Sequence, residues 1–159
     1  HYDPTKKVVK LSRDIYNGKS IAAVAVAAHE CGHAIQDKDG YAFLKFRSMI
    51  IPLVNISTKL GYFAILIGIL FSILNLIWIC VAFELIILLF QLITLPVEFN
   101  ASGRALKIIQ KEGMVSSSEY TGAKKMLTSA ALTYVASVIS ALFEIFRLVL
   151  IARNRNRWK

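Results

Sequence analysis

A long apolar segment near the middle of the chain limits what the chain can fold into. Between positions 60 and 95 the only charged residue is Glu84. A helix needs about 20 apolar residues to cross the hydrocarbon core of a bilayer, so this segment is too long for one crossing and suits two. We therefore predict a transmembrane helical hairpin over residues 56–95, with its first crossing starting near Asn55 and its turn at Asn75.

The composition agrees with a membrane protein and argues against nucleic-acid binding. Of the 159 residues 56% are hydrophobic, and the mean hydropathy is +0.56, which is above the soluble range. The net charge is +9, but the basic residues flank the apolar segments, as is typical of spans that meet anionic headgroups. We expect a lipid bilayer as a partner, and no nucleic acid. The two cysteines predict no disulfide framework.

The residues before the hairpin predict a small β element and then a helix. Val8 and Val9 favour a strand within residues 1–19, and Ser20 is a suitable N-cap. The following stretch is rich in alanine and apolar on nearly every side, which is typical of a buried helix. We predict this helix over residues 20–36.

After the hairpin, the sequence predicts two more helices. Pro96 suits the first turn of a helix over residues 96–112. Ser116 and Glu119 have the spacing of a capping box, so another helix should begin there. Its apolar part, residues 128–151, is long enough for a third span. The fold class predicted is therefore mainly α, in a membrane, with a small N-terminal β element, as one domain over residues 1–159.

A helix-borne H-E-x-x-H motif carries the chemistry. His29 and His33 are four residues apart and so share one face of the helix, where both imidazoles can bind one metal ion. Glu30 lies beside them and can accept a proton from metal-bound water. Zinc suits these ligands. The alternative is a chance match, but unpaired imidazoles on a buried helix would be costly. We expect Cys31 to face away from the histidines as a packed thiol.

A catalytic zinc ion needs a third protein ligand, and Glu98 is the best candidate. A hairpin returns the chain to the side that it left, which brings Glu98 back near the motif helix. His1 is the only other histidine, and Glu84 lies inside an apolar helix. The alternative is that Glu98 has no metal-binding role and only stabilises a helix N-terminus electrostatically. Candidate oxyanion donors are Tyr2, Asn100 and Arg104.

Three segments, AAVAVAAHECGHAIQ, LPVEFNASGRAL and GAKKMLTSAALTYVAS, resemble the bacterial membrane neutral zinc metallopeptidases, the YugP-like proteins. The resemblance covers essentially the whole chain. It implies a gluzincin-type site with His29, His33 and Glu98 as zinc ligands and Glu30 as catalytic base. It also implies a further N-terminal transmembrane helix, which these residues lack. Ser102 departs from the pattern of similar membrane proteases, which have Asp there, so this chain lacks the carboxylate that would orient a ligand histidine at that position.

We therefore expect a zinc-dependent membrane endopeptidase of the bacterial cell membrane that acts on peptides or membrane proteins. The alternatives are a non-catalytic metal-binding scaffold and a membrane transporter. We expect the site to face the cytoplasm, because positive charge favours that side and basic residues flank the hairpin near the site. The basic tail from Arg153 to Lys159 opposes this orientation if residues 128–151 also cross. The basic residues near the site are Lys45, Arg47, Lys59, Arg104, Lys107 and Lys111.

Overall fold

A computed structural model of the chain describes residues 1–71 and 73–156. Its elements, in chain order, are β1 (Tyr2–Asp3), β2 (Val8–Val9), α1 (Arg13–Tyr16), α2 (Ile21–Lys38), α3 (Ala42–Leu70), α4 (Leu74–Lys111) and α5 (Ser117–Asn156). The protein is thus mainly α, with a small N-terminal β element, as predicted. The last three residues of the basic tail lie outside the described residues.

Three helices are long and apolar enough to cross a membrane. They are α3, α4 and α5, with 29, 38 and 40 residues. The predicted hairpin corresponds to α3 and α4, and the predicted third span lies within α5. This confirms the prediction of a hairpin followed by another long apolar helix.

The helix boundaries around the hairpin differ from those predicted. The break between α3 and α4 falls before Leu74, so Asn75 lies in the first turn of α4 and not in the connection. Helix α3 already begins at Ala42 and continues through Pro52. Helix α4 likewise continues through Pro96, so no new helix starts there. Long apolar helices tolerate proline because neighbouring groups satisfy the freed backbone carbonyls.

The predicted caps are present. The Ser20 side chain accepts a hydrogen bond from the backbone N–H of Ala23 at 3.1 Å and caps α2. Before α5, Ser116 and Glu119 form the capping box: the Glu119 carboxylate accepts from the Ser116 backbone N–H at 2.8 Å. This hydrogen bond lowers the pKa of Glu119. Both helix starts are therefore fixed by local sequence.

The N-terminal segment forms an antiparallel pair of two-residue strands. Tyr2 lies opposite Val9, and Asp3 lies opposite Val8. The Asp3 carboxylate accepts from the backbone N–H of Thr5 and of Lys6, both at 3.1 Å, which fixes the turn. The short helix α1 follows, and the Ser12 side chain caps it.

The chain groups into two compact units. The first unit comprises His1–Lys45 and Thr94–Tyr134, and the second comprises Phe46–Ile93 and Val135–Lys159. Helices α4 and α5 each contribute residues to both. The second unit has a small core in which residues of α3, α4 and α5 meet; its buried members are Ala64, Cys80, Val81 and Leu148.

The first unit is built around the packing of α2 on α4 and α5. Its core consists largely of small side chains, which permit helix backbones to approach closely; the buried members are Ala25, Ala28, Ala105, Ile109, Ala123 and Leu127. The closest approach is at Gly32. A methyl group on Gly32 would lie 2.5 Å from the carbonyl oxygen of Ala101 in α4. Only glycine fits at this position without moving one of the helices.

We predict that Gly32→Ala separates α2 from α4. The added methyl meets backbone, which cannot turn away, so the substitution should lower the free energy of unfolding by about 1–3 kcal/mol. Because Glu98 and the two histidines are on these two helices, zinc content should also fall. Thermal unfolding and zinc analysis of the purified protein measure both effects.

Gly103→Ala is the matched control. It makes the same change in α4, but nothing lies within 4 Å of the added methyl, so stability should be unchanged or slightly higher. If Gly32→Ala behaved like Gly103→Ala, the close approach of the two helices would be wrong.

Candidate metal centre

Helix α2 presents its two motif histidines on one face. The rings of His29 and His33 lie 4.7 Å apart between centroids and nearly perpendicular to each other. Helix α4 brings Glu98 to the same point: its Oε2 atom is 3.2 Å from Nε2 of His29 and 3.6 Å from Nε2 of His33. Glu98 is 65 residues after His33 in the sequence, so only the packing of α4 on α2 brings the three residues together.

This cluster fits a zinc ion by the chemistry and spacing of its donors. Two imidazole nitrogens and one carboxylate oxygen are a common catalytic zinc set, and these atoms lie within 4.8 Å of one another. Tetrahedral ligands at about 2.0–2.2 Å from zinc are about 3.4 Å apart, close to the observed separations. Glu98 is only 3% exposed, and a carboxylate so deeply buried requires a positive partner.

A hydrogen bond to Gln36 fixes which nitrogen of His33 is free to bind metal. The Gln36 side-chain N–H group donates to the carbonyl oxygen of Val97 at 2.8 Å, so its oxygen must face His33. That oxygen lies 2.9 Å from Nδ1 of His33, and an amide oxygen only accepts. Nδ1 of His33 is therefore the donor, which leaves the Nε2 lone pair directed at the cluster.

Ser102 has the corresponding position beside His29. Its hydroxyl is 3.2 Å from Nδ1 of His29. Ser102 lies one helical turn after Glu98 in α4, so both side chains point to the same histidine. Ser102 stands where the resemblance noted from the sequence implies Asp, so a hydroxyl takes the place of a carboxylate. Each candidate ligand histidine thus has a neutral polar group beside its outer nitrogen.

Two of the candidate oxyanion donors, Asn100 and Arg104, contact the residues that support His33. The Asn100 side-chain oxygen accepts from Gln36 at 3.0 Å and from Arg104 at 2.8 Å. Arg104 also forms an ion pair with Asp39 at 2.5 Å. These contacts extend the support of His33 from α2 to α4.

Tyr2 contacts the site through its backbone. Its backbone N–H donates to a carboxylate oxygen of Glu30 at 2.7 Å. Its hydroxyl donates to Asp37 at 2.7 Å, and burial, followed by this hydrogen bond, raises the pKa of Tyr2 to about 12. The hydroxyl is therefore protonated at neutral pH and committed to Asp37, while the strand β1 orients Glu30.

A cavity of about 210 Å³ opens beside the cluster. His29, Glu30 and Glu98 line one part of it, and Ser102 and Tyr134 add polar atoms. The rest of the wall is apolar and comes from α2 and α5: Val26, Met126, Leu127, Ala130 and Ala131. A small substrate group bound in this cavity would contact both the candidate ligands and Glu30.

The structure corrects two expectations about this region. Cys31 is exposed and is not a packed thiol, because the face of α2 opposite the histidines is not covered there. Glu98 lies well inside α4, so it does not act on a helix N-terminus. The sequence motif did not identify Gln36 as a residue that supports His33. Gln36 is three residues after His33 on the same helix face, and this spacing is the one sequence feature that indicates their contact.

We predict that Gln36→Leu weakens zinc binding by about 10–100-fold, the usual effect of removing the hydrogen-bond partner of a metal-binding histidine. Leucine has a similar size but cannot accept the proton of His33, so the ring loses its fixed orientation. Titration against a zinc-binding chelator measures the affinity. Gln110→Leu, on the exposed side of α4, is the control and should retain the affinity. Equal affinities in the two variants would contradict this role of Gln36.

Comparison with known proteins agrees with this geometry. The family model described as "Putative neutral zinc metallopeptidase" matches residues 1–153. The chain is 47% identical over 154 residues to the "Putative membrane protease YugP" of Bacillus subtilis (strain 168), a match that covers 97% of this chain and 68% of the relative. No solved structure is significantly similar. The family confirms Zn²⁺ as the cofactor and, with the three apolar helices, a membrane protein. The chain belongs to the neutral zinc metallopeptidase family.

Proposed function

We propose that the protein is a zinc-dependent membrane endopeptidase in which His29, His33 and Glu98 hold the metal and Glu30 is the general base. The observation that carries this proposal is that Glu30 and all three candidate ligands meet in the first unit, with His29, Glu30 and Glu98 lining one cavity. A structural zinc site is closed by a fourth protein ligand, whereas a catalytic one leaves a position open. Among the described residues no fourth ligand joins the cluster.

Each of these residues has its own role in peptide hydrolysis. Zinc, when bound, acts as a Lewis acid that makes water more acidic and polarises the scissile carbonyl. Glu30 accepts a proton as the water oxygen bonds to the carbonyl carbon, and it returns the proton to the amine nitrogen as the C–N bond breaks. The Tyr2 backbone N–H holds one Glu30 oxygen and so orients the carboxylate. Gln36 and Ser102 hold the outer nitrogens of the histidines.

The cavity wall supports a preference for apolar substrate residues. Apart from the polar side chains at one end, the cavity is lined by aliphatic and methionine side chains of α2 and α5. A volume of about 210 Å³ accommodates one side chain of moderate size and not an extended segment. An extended peptide could pair with the small β1–β2 sheet beside Glu30, in the usual manner of strand addition. Peptides or membrane proteins with apolar residues at the cleavage site are thus the proposed substrates.

The second candidate function is a metal-binding scaffold without catalysis. It would use the same three ligands, and a buried, well-supported metal site is compatible with it. A purely structural site, however, has no use for Glu30 on the cavity wall or for an apolar cavity next to the ligands. For this reason we favour the peptidase.

We predict that Glu30→Gln and Glu98→Gln separate catalysis from metal binding. Glu30→Gln removes the base but no ligand, so hydrolysis of a fluorogenic apolar peptide should fall by about 10²–10⁴-fold while zinc remains near one per chain. Glu98→Gln removes an anionic ligand, so zinc content and activity should fall together. Zinc analysis and peptide turnover are measured on the same detergent-purified samples.

Glu112→Gln is the matched control. It makes the same change at an exposed glutamate after α4 and should leave both quantities unchanged. Peptide turnover retained in Glu30→Gln would refute the base assignment. Full zinc content in Glu98→Gln would refute its role as a ligand. Zinc binding with no turnover of any apolar peptide by the wild type would favour the scaffold.

We further propose that the candidate metal centre faces the cytoplasm, because the basic residues near it favour that side. In a variant with Cys31 and Cys80 replaced by alanine, Lys38→Cys should resist a membrane-impermeant thiol reagent added to intact cells. Asn156→Cys, which three crossings separate from position 38, should react and serves as the positive control. Labelling at position 38 would place the site outside.

A further inference from the structure

The second unit contains a cavity of its own, of about 470 Å³. This volume is within the range of ligand-binding pockets. All three membrane-length helices line it. Helix α3 contributes Ser57, Thr58, Gly61, Tyr62, Ile65, Leu66, Ile69 and Leu70; α4 contributes Glu84 and Ile87; and α5 contributes Glu144 and Arg147. An apolar groove with three ionisable groups is unusual for a membrane-spanning region.

The charges in this cavity do not balance. Arg147 forms a two-pronged ion pair with Glu144, as their spacing in the sequence indicates. Glu84 has no hydrogen bond or ion pair with any residue that the structure describes. The cavity therefore holds two carboxylates and one guanidinium, an excess of one acidic group.

A polar atom in the same cavity also lacks a partner. Ser57 is fully buried, and its hydroxyl forms no hydrogen bond within the described residues. A buried hydroxyl without a hydrogen bond costs about 1–3 kcal/mol. Within the described part of the chain, the Ser57 hydroxyl thus has no hydrogen-bond partner, and the Glu84 carboxylate forms no hydrogen bond or ion pair, although Arg147 is near enough to interact with it electrostatically.

In a membrane-spanning α4, Glu84 would lie where a polar group is most costly. It is about ten residues beyond the start of α4 at Leu74, which is about 15 Å along a helix. That distance is half the thickness of a hydrocarbon core of about 30 Å. A basic group on another membrane-spanning helix could reach Glu84 at this depth.

The shape of the groove suits a helix. The lining residues of α3 recur at intervals of four from Ser57 to Ile69 and from Thr58 to Leu70, which describes a stripe along one helix face. The stripe extends over about 18 Å at 1.5 Å per residue. Its outer side chains are uncovered: Tyr62 is 71% and Leu70 is 68% exposed. A compact small molecule would not cover a surface of this length.

We propose that this groove binds a transmembrane helix of another protein that carries a lysine or arginine near its middle. The basic side chain would pair with Glu84, and the apolar residues on either side would pack along the α3 stripe. Close packing and polar contacts of this kind drive helix association in lipid, because the hydrophobic effect does not drive helices together there. The proposal concerns binding and does not depend on peptide hydrolysis.

Helix association in vesicles tests the proposal. The full chain, labelled with an energy-transfer donor, is reconstituted in phosphatidylcholine vesicles with an acceptor-labelled leucine–alanine transmembrane peptide that has one central lysine. We expect this peptide to associate about ten-fold more strongly than the same peptide with a central leucine. Glu84→Gln should abolish the difference. Glu112→Gln, a matched change outside the cavity, should preserve it.

Several results would overturn the proposal. If the lysine and leucine peptides associated equally with the wild type, that result alone would contradict the proposal. A lysine preference that persists in Glu84→Gln would place the contact elsewhere. Loss of the preference when phosphatidylethanolamine replaces half of the phosphatidylcholine would assign the groove to a lipid. Self-association of the chain that Glu84→Gln abolishes would assign it to a second copy.

Discussion

The close approach of α2 and α4 at Gly32 is the contact on which the candidate metal centre depends. Because no side chain separates Gly32 from the Ala101 backbone, Glu98 in α4 reaches both imidazoles of α2 with a single carboxylate oxygen. The same approach lets Gln36 reach across to Val97 and Asn100. A larger spacing between the helices would remove Glu98 from the candidate metal centre and, with it, the support of His33.

The hydrogen bonds around the cluster prepare its donors for a cation. Gln36 can only accept from His33, so the Nε2 lone pair of that ring is available before any metal arrives. The Ser102 hydroxyl lies 3.2 Å from Nδ1 of His29; because a hydroxyl can donate or accept, it orients this ring without determining which nitrogen carries the proton. A neutral partner makes the ligand histidine less basic than an aspartate would. We therefore expect this centre to bind zinc less tightly than a Ser102→Asp variant of the same chain.

Local patterns in the sequence predicted local features well. The four-residue spacing of His29 and His33 predicted their shared face, and the Ser116–Glu119 spacing predicted the start of α5, because both depend only on helix geometry. Proline was misleading: Pro96 predicted a helix start, yet α4 continues through it, since apolar helices tolerate the lost hydrogen bond. Gln36 and Gly32 were missed because their roles depend on which residues of α4 pack against them, and one sequence does not contain that information.

X-ray absorption at the zinc edge of the purified protein tests the central claim most directly. We predict one zinc ion with two imidazole ligands and only nitrogen and oxygen donors, at about 2.0–2.2 Å. We also expect the imidazole scattering to be lost in a His29→Ala, His33→Ala variant. A sulfur donor at about 2.3 Å would show that Cys31 binds the metal. Such a result, or a spectrum without imidazole, would contradict the assignment of His29, His33 and Glu98 as ligands.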